Sequence, residues 1–215
     1  MHTKVCIRFS VERLILLQII MIMEKSGGLS TELKQKIGGT KVAVIGSMAV
    51  DLIAEAIRKL GFEDIVVMSD CSKLDLCDIV ICTCTTEKEA CREVIAHCYN
   101  ISVPVICAFN FGIGGCVTVV MPERRLPHFV EAKADDDTVK AMLDYTSGYC
   151  RFWNVPGNGW VDCAMKWIAS PEVSSSVGEY TMTAMAAHLL VAITAGNEVK
   201  TYPKFYLSTI VNDVN

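Results

Sequence analysis

The sequence predicts an α/β fold, a Rossmann-like, mainly parallel sheet with helices on both faces. Short apolar segments between turn residues predict four buried strands: Lys41–Ile45, Ile65–Met68, Asp78–Cys82 and Pro104–Phe109. Helical spacing separates the first segment from the second and the third from the fourth, an alternation typical of parallel βαβ units. An acid after the second strand, Asp70, is typical of the first half of a dinucleotide-binding fold.

Caps and apolar spacing predict the other elements of the first half. Ser30 or Thr31 caps the first helix, which ends at Gly38-Gly39, and Gly61 ends the second. The predicted elements are helices over Ser30–Lys36, Met48–Leu60 and Glu87–Asn100, a glycine-rich turn over Gly112–Gly115 and a strand over Cys116–Val120.

The pattern after Pro122 predicts an extension of the sheet by a further helix and strand. A long helix with an apolar Met/Ala/Leu face is the main element of this half. The predicted elements are a strand at His128–Val130, a helix over Asp135–Tyr145, an aromatic loop or crossover over Cys150–Trp167, the long helix Pro171–Gly196 and an alternating strand Tyr202–Ile210.

Composition indicates one packed domain. The 215 residues are 52% apolar with a mean hydropathy of +0.37, which fits a well-buried core. We expect a single nucleotide-binding domain over residues 29–215. The net charge is −4 and no basic block is present, so we expect no nucleic-acid partner.

Residues 1–28 form a separate segment, an N-terminal arm or an upstream extension. Its apolar stretch, Leu14–Met23, is ten residues long and too short to span a bilayer, so we expect no membrane partner. Two interpretations stay open: an arm that packs on a neighbour, or sequence upstream of a start at Met21 or Met23.

The eleven cysteines favour reduced thiols in a cytoplasmic protein. Their number is odd and many lie inside apolar strands, which does not fit a disulfide framework. Cys82-Thr-Cys84 is too tightly spaced for half of an ordinary zinc site, and the four histidines lie far apart. We therefore predict no protein metal centre.

The turn after the first strand is a reduced form of a phosphate-binding loop. In Gly46-Ser-Met-Ala-Val-Asp51 only the first glycine remains, Met48 replaces the second, and Asp51 adds negative charge. A tightly held NAD pyrophosphate is therefore not expected. Asp70 lies 24 residues after Gly46, near the usual spacing of a ribose-binding acid, although an exposed turn acid is the alternative.

Small hydroxyl and thiol residues follow the predicted strands. Such residues at the carboxyl ends of parallel strands lie where nucleotides bind in open α/β sheets. Thr86 has the alternative role of capping the following helix. The predicted cofactor-binding residues are Gly46, Ser47, Ser69, Asp70, Thr83, Cys84 and Thr86.

The layout from about Lys36 to Ile210 resembles the ubiquitin-activating (E1-like), ThiF/MoeB-type adenylyltransferases. The resemblance is most specific in the strand, glycine-rich turn and strand of Val103–Pro122, and Ser174–Gly178 before the long helix is a second match. It implies ATP and Mg²⁺ as cofactors, AMP joined to a carboxylate with release of pyrophosphate, and a homodimer. A narrower resemblance, to ThiF-like enzymes of iron-guanylylpyridinol cofactor assembly, implies a small-molecule carboxylate.

Two positions depart from that family. Its arginine after the ribose acid is absent from Cys71–Leu76, and Lys73 is the nearest cation that could replace it. Its magnesium-linked aspartate falls on Thr85, and Asp75 or Glu87 could supply oxygen ligands instead. Lys73 and Thr85 are therefore the candidate catalytic residues, with a solvated loop lysine as the alternative for Lys73.

On the substrate side, the glycine-rich turn could present backbone N–H groups to an anion, and an aromatic, polar cluster could hold a flat ring. A tight strand connection and ordinary packing are the alternatives. The predicted substrate-binding residues are Asn110, Phe111, Gly112, Gly114, Arg151 and Trp153.

Three functions remain open from the sequence. An adenylyltransferase that activates a carboxylate is the first hypothesis. An NAD(P)-dependent oxidoreductase is the second, although a full glycine loop and a proton donor are lacking. A non-catalytic E1-like partner protein is the third, supported by the missing arginine and aspartate.

Overall fold

The computed structural model describes residues 29–46, 48–84, 88–122, 124, 126–131, 138–153, 159–169 and 177–209. These residues form one six-stranded sheet with the strand order β2-β1-β3-β4-β5-β6. The strands are β1 Val42–Gly46, β2 Ile65–Met68, β3 Ile79–Cys84, β4 Val105–Asn110, β5 Gly114–Val120 and β6 Tyr206–Thr209.

The first four strands are parallel, whereas β5 is antiparallel to β4 and β6 is antiparallel to β5. The prediction of a mainly parallel sheet is confirmed. In the register, Gly46 is paired with Thr83, and Thr83 with Ala108. β1, β2, β3 and β4 therefore end at one edge of the sheet, which we call the carboxyl edge.

The described residues form seven α-helices, of which the first precedes β1. The predicted N-terminal cap is confirmed, because the N–H of Leu33 donates to the hydroxyl of Ser30 at 3.1 Å. The helices are α1 Thr31–Gly39, α2 Val50–Lys59, α3 Lys88–Asn100, α4 His128–Glu131, α5 Thr138–Phe152, α6 Gly159–Ala169 and α7 Val177–Thr194.

Helices cover both faces of the sheet, as predicted. On one face, Ile37 of α1, Ile53 of α2 and Met182 of α7 belong to the same buried cluster as Val42 and Val44. The alternate residues of β1 point to the other face. There, residues of α3 to α6 form the second buried cluster, which includes Ala43, Ile45, Ile95, Leu143 and Trp160.

The helix α7 approaches the sheet closely. A Cβ on Gly115 of β5 would lie 2.7 Å from the backbone nitrogen of Met182. Glycine at this position lets the backbone of the helix rest against the strand. The start of α7 is thereby brought to the carboxyl edge, beside the turn between β4 and β5.

The strand predicted at His128–Val130 is wrong, because this segment forms the short helix α4. The N–H of Val130 donates to the carbonyl of Pro127 at 2.9 Å, and proline favours the start of a helix. Phe129 is fully buried and packs edge-on against Phe109, with ring centroids 5.2 Å apart.

A loop or crossover was predicted over Cys150–Trp167, and the loop is wrong for the described part, which is helical. α5 continues to Phe152, and α6 begins at Gly159. Trp160 and Ala164 are both buried, and their separation of four residues places them on one helical face. Of the long helix and the last strand, Val177–Thr194 and Tyr206–Thr209 are observed, and residues 170–176 and 210 lie outside the described residues.

None of the nine cysteines whose side chains are described forms a disulfide bond. Burial raises the pKa of Cys98 to about 12 and that of the fully buried Cys116 well above its usual value. Thiols in such surroundings are unreactive. Among the described helices, none combines the length and apolar content that a membrane crossing requires.

Candidate functional site

The turn that leaves β1 packs directly against β3. Gly46 has a φ of +139°, and a Cβ there would lie 2.7 Å from the carbonyl oxygen of Thr83 and closer still to its hydroxyl. The Thr83 side chain is buried, and its hydroxyl donates to the carbonyl of Ile45 at 3.5 Å. Only glycine fits at the end of β1.

An open cleft of about 590 Å³ lies beside this turn, between the start of α2 and the end of β2. Ala49 precedes α2 with a φ of +55°, and no side chain caps the helix. The amides of the first helical turn, which carry the positive end of the helix dipole, therefore border the cleft and favour an anion. The lining residues are Gly46, Ala49, Val50, Asp51, Leu52, Val67, Met68 and Ser69.

Asp51 opposes that preference. It lies in the first turn of α2, it is exposed, and it lines the cleft. A bound phosphate would meet this carboxylate as well as the helix amides. The cleft therefore suits a neutral sugar or base, or a phosphate whose charge is balanced by a cation.

Asp70 follows the cleft residue Ser69 and is exposed. Its Oδ1 accepts a hydrogen bond from the N–H of Ser72 at 2.8 Å. Hydrogen bonds from the side chain and backbone of Ser72 hold the pKa of Asp70 below its usual value, and the charge of Lys73 contributes in the same direction. The carboxylate is therefore ionised at neutral pH, with Lys73 close enough to act on it.

The structure brings several predicted residues to the carboxyl edge. Gly46, Ser69, Asp70 and Thr83 lie at or just after the ends of β1, β2 and β3, and the backbone of Cys84 ends β3. The predicted residues Ser47, Thr85 and Thr86 lie outside the described residues.

Asn110, at the end of β4, connects two distant parts of this edge. Its Oδ1 accepts a hydrogen bond from the N–H of Gly112 at 2.8 Å, and its Nδ2 lies 3.1 Å from the sulfur of Met48. Gly178 of α7 packs against Oδ1 so tightly that a Cβ there would overlap it. Met48 belongs to the turn between β1 and α2, so Asn110 lies between that turn and α7.

The glycine-rich turn after β4 uses its amides within the protein. Phe111 donates to the carbonyl of Gly114 and Ile113 donates to that of Phe111, both at 2.9 Å. The N–H of Gly178 donates to the carbonyl of Gly112 at 2.8 Å. These hydrogen bonds hold the turn against α7. The substrate-binding role of Gly112 and Gly114 stays a prediction from the glycine-rich sequence of the turn.

The other predicted substrate residues lie in different surroundings. Phe111 is fully buried and stacks with Trp160 at 6.1 Å. Arg151 and Trp153 are exposed at the end of α5, where Trp153 contacts Tyr149, which in turn packs against Phe205 beside β6. β6 is four strand spacings from β1, roughly 19 Å, so Arg151 and Trp153 are not brought to the cleft.

Two features of the site were not predicted from the sequence. The contact between Met48 and Asn110 joins residues 62 positions apart, and no periodic pattern marks it. Glu179, in the first turn of α7, has its pKa raised by burial. Its only sequence signal is an acid near a helix start, which is ordinary in helices.

The described residues alone do not form a complete site for a divalent cation. Within the described residues, no group of three or more His, Cys, Asp or Glu side chains could hold a metal ion. Mg²⁺ commonly binds through one or two carboxylates together with substrate phosphates and water. Asp51 and Asp70 beside the cleft fit that limited role.

Solved structures share this architecture. No model of a protein family and no curated protein matches the chain. The crystal structure of PaaA aligns with a TM-score of 0.51 at 12% identity, over 98% of this chain and 82% of that one. The crystal structure of E. coli MccB with AMPCPP and MccA aligns with a TM-score of 0.52 at 8% identity, over 96% and 74%. The chain therefore has a Rossmann-like α/β fold that resembles the folds of these structures.

E. coli MccB with ATP is a third similar structure, with a TM-score of 0.50 and 9% identity over 84% of this chain and 67% of that one. At sequence identities of 8–12%, these structural alignments establish a likeness of fold alone. What this chain binds is argued from its own residues.

Proposed function

We propose that this protein is an ATP-dependent adenylyltransferase that activates a carboxylate. The observation that carries the proposal is the cleft at the carboxyl edge, between the first strand–helix turn and the end of β2. Nucleotides bind at this position in open α/β sheets. The similar MccB structures contain ATP or AMPCPP, which supports an adenine nucleotide as the ligand.

In this proposal the adenosine part occupies the cleft. The ionised carboxylate of Asp70 accepts hydrogen bonds from the ribose hydroxyls, and Val67 and Met68 offer apolar surface to the base. The uncapped amides at the start of α2 lie on the phosphate side. Gly46 lines the cleft, and the phosphates would approach its exposed backbone.

The reaction needs positioning and charge neutralisation more than covalent chemistry by the protein. An oxygen of the substrate carboxylate attacks the α-phosphorus of ATP, the bond from that phosphorus to the bridging oxygen breaks, and pyrophosphate leaves. Lys73 supplies a positive charge in place of the arginine found in the E1-like family that the sequence resembles. Mg²⁺, held by the phosphates with Asp51, would neutralise charge that otherwise repels the nucleotide.

The proposed substrate is a small-molecule carboxylate, and a peptide carboxylate is the alternative. The narrower resemblance favours a small cofactor precursor. The similar MccB structure that contains MccA favours testing peptides as well. We also propose a homodimer, on the resemblance alone, which sedimentation equilibrium of the full chain would test.

Calorimetric titration with ATP–Mg²⁺ and with NAD tests the nucleotide. We expect binding of ATP and no binding of NAD, and the reverse would favour an oxidoreductase. Asp70→Ala should weaken ATP binding, whereas Asp64→Ala, which removes an exposed acid at the opposite end of β2, should leave it unchanged. Equal affinities of the two variants would contradict the ribose role of Asp70.

A second candidate function, a non-catalytic E1-like partner, is favoured by the contact between Met48 and Asn110. The Met48 side chain reaches the end of β4, so it would obstruct a phosphate chain that ran from the cleft in that direction. Pyrophosphate release in the presence of panels of small carboxylic acids and of peptides separates the two candidates. ATP binding without pyrophosphate release on either panel would support the partner protein.

A further inference from the structure

The side chain of Met48 extends from the turn beside the cleft to the end of β4. Gly46 and Ala49 both line the cleft, whereas Met48, between them in sequence, directs its sulfur to the side-chain amide of Asn110. β4 lies two strand spacings from β1, roughly 10 Å. A phosphate chain that leaves the cleft towards β4 therefore meets Met48.

The orientation of the Asn110 amide is fixed by its neighbours. The N–H of Gly112 can only donate, so the atom that it contacts at 2.8 Å is the amide oxygen. The nitrogen is then the atom 3.1 Å from the Met48 sulfur. Asn110 is almost fully buried and Gly178 packs against its oxygen, so the donor points to Met48 in a set direction.

A thioether is a weak acceptor, whereas a phosphate oxygen is a charged and much stronger one. An anionic oxygen that took the place of the Met48 sulfur would improve the hydrogen bond of the Asn110 amide. Methionine is unbranched and flexible, so its side chain can leave this position without a movement of the backbone.

We propose that Met48 determines how long a phosphate chain the site accepts. With the sulfur on Asn110, the cleft takes adenosine or a nucleotide with one phosphate. A longer chain binds only after the Met48 side chain is displaced, and Asn110 then donates to the phosphate. This proposal rests on nucleotide binding in the cleft, as stated under the proposed function.

The test is the ratio of the dissociation constants of AMP and ATP, measured by calorimetry for the full chain and two variants. Met48→Ala removes the obstructing side chain, and Met48→Leu keeps its volume without the sulfur. We expect Met48→Ala to shift the ratio about tenfold in favour of ATP, because ATP then no longer has to displace a side chain that is hydrogen-bonded to Asn110. Met48→Leu should keep the ratio of the unmodified chain.

A ratio of affinities cancels any general loss of folded protein, and thermal unfolding of each variant checks the fold directly. An unchanged ratio in Met48→Ala would overturn the role of Met48 and leave nucleotide binding intact. An equal shift in both variants would overturn the steric explanation. If neither AMP nor ATP bound to any of the three proteins, the proposed function would fail together with this inference.

Discussion

The backbone of Gly46 lies against Thr83 with no space for a side chain, and a Cβ there would come within 2.7 Å of the Thr83 carbonyl oxygen. The two residues are register partners at the ends of β1 and β3. This contact fixes the point at which the cleft begins.

Gly46→Ala should therefore destabilise the protein and weaken nucleotide binding. Overpacking and the positive φ of +139° together predict a loss of about 1–3 kcal/mol in the free energy of unfolding, measured with urea. The control is Gly148→Ala in α5, where a Cβ meets no neighbouring atom and alanine favours the helix by up to about 1 kcal/mol. A Gly46→Ala protein as stable as the control would contradict the packing described.

Gly178→Ala tests the attachment of α7 to the turn after β4. The added methyl would overlap the Asn110 oxygen and lie 2.9 Å from the nitrogen of Gly112, which predicts a loss of about 1–3 kcal/mol. Gly159→Ala is the matched control, because this first residue of α6 is exposed and has open space around it. We expect a change of about 0.5 kcal/mol or less there. Similar losses in both variants would mean that the contact does not hold α7.

The raised pKa of Glu179 predicts how the free energy of unfolding depends on pH. Burial raises its pKa in the folded state above 4.5, so the folded protein binds the proton more tightly than the unfolded chain. The resulting stability is fully present below the unfolded value and is lost as pH rises through the folded value. Glu179→Gln should therefore unfold at higher urea concentration than the unmodified protein at pH 7, and this difference should vanish at about pH 4.

The control for that experiment is Glu198→Gln, which changes an exposed acid after α7. Its midpoint of unfolding should stay close to that of the unmodified protein at both pH values. A difference for Glu179→Gln that is as large at low pH as at pH 7 would argue against a raised pKa of this partly buried carboxylate.

The thiols should differ widely in reactivity. Cys163 is exposed, whereas burial raises the pKa of Cys98 to about 12 and that of Cys116 well above the usual value. We expect N-ethylmaleimide to modify Cys163 in the native protein and the two buried thiols only in urea, as followed by mass spectrometry of peptides. Modification of Cys98 at the rate of Cys163 in the native state would contradict the burial of Cys98 in the core.

The sequence predicted the parallel half of the fold well because each element there has a local signal. Val42, Val44 and Ile81 lie in short apolar strands, and Ser30 and Gly61 mark helix ends. The second half lacks such signals. The four residues of α4 are too few for any periodicity, and Pro127, more than the pattern, determines their conformation.

The site was predicted in part for the same reason. The end of a strand is visible in a sequence, so Gly46, Ser69, Asp70 and Thr83 were expected at one edge, and they lie there. Contacts across the sheet leave no local pattern. Arg151 and Trp153 were predicted from an aromatic cluster in the sequence. The structure places that cluster beside β6, the last strand of the sheet, and therefore far from the cleft.

The amide of Asn110 cannot rotate to follow an incoming molecule, because Gly112 and Gly178 enclose its oxygen. Its nitrogen therefore directs its N–H groups along one fixed direction. In the proposed site, a ligand at this end of the cleft would therefore have to match the fixed direction of the Asn110 N–H groups, because the packing of Gly178 against the amide oxygen leaves the side chain no space to adjust.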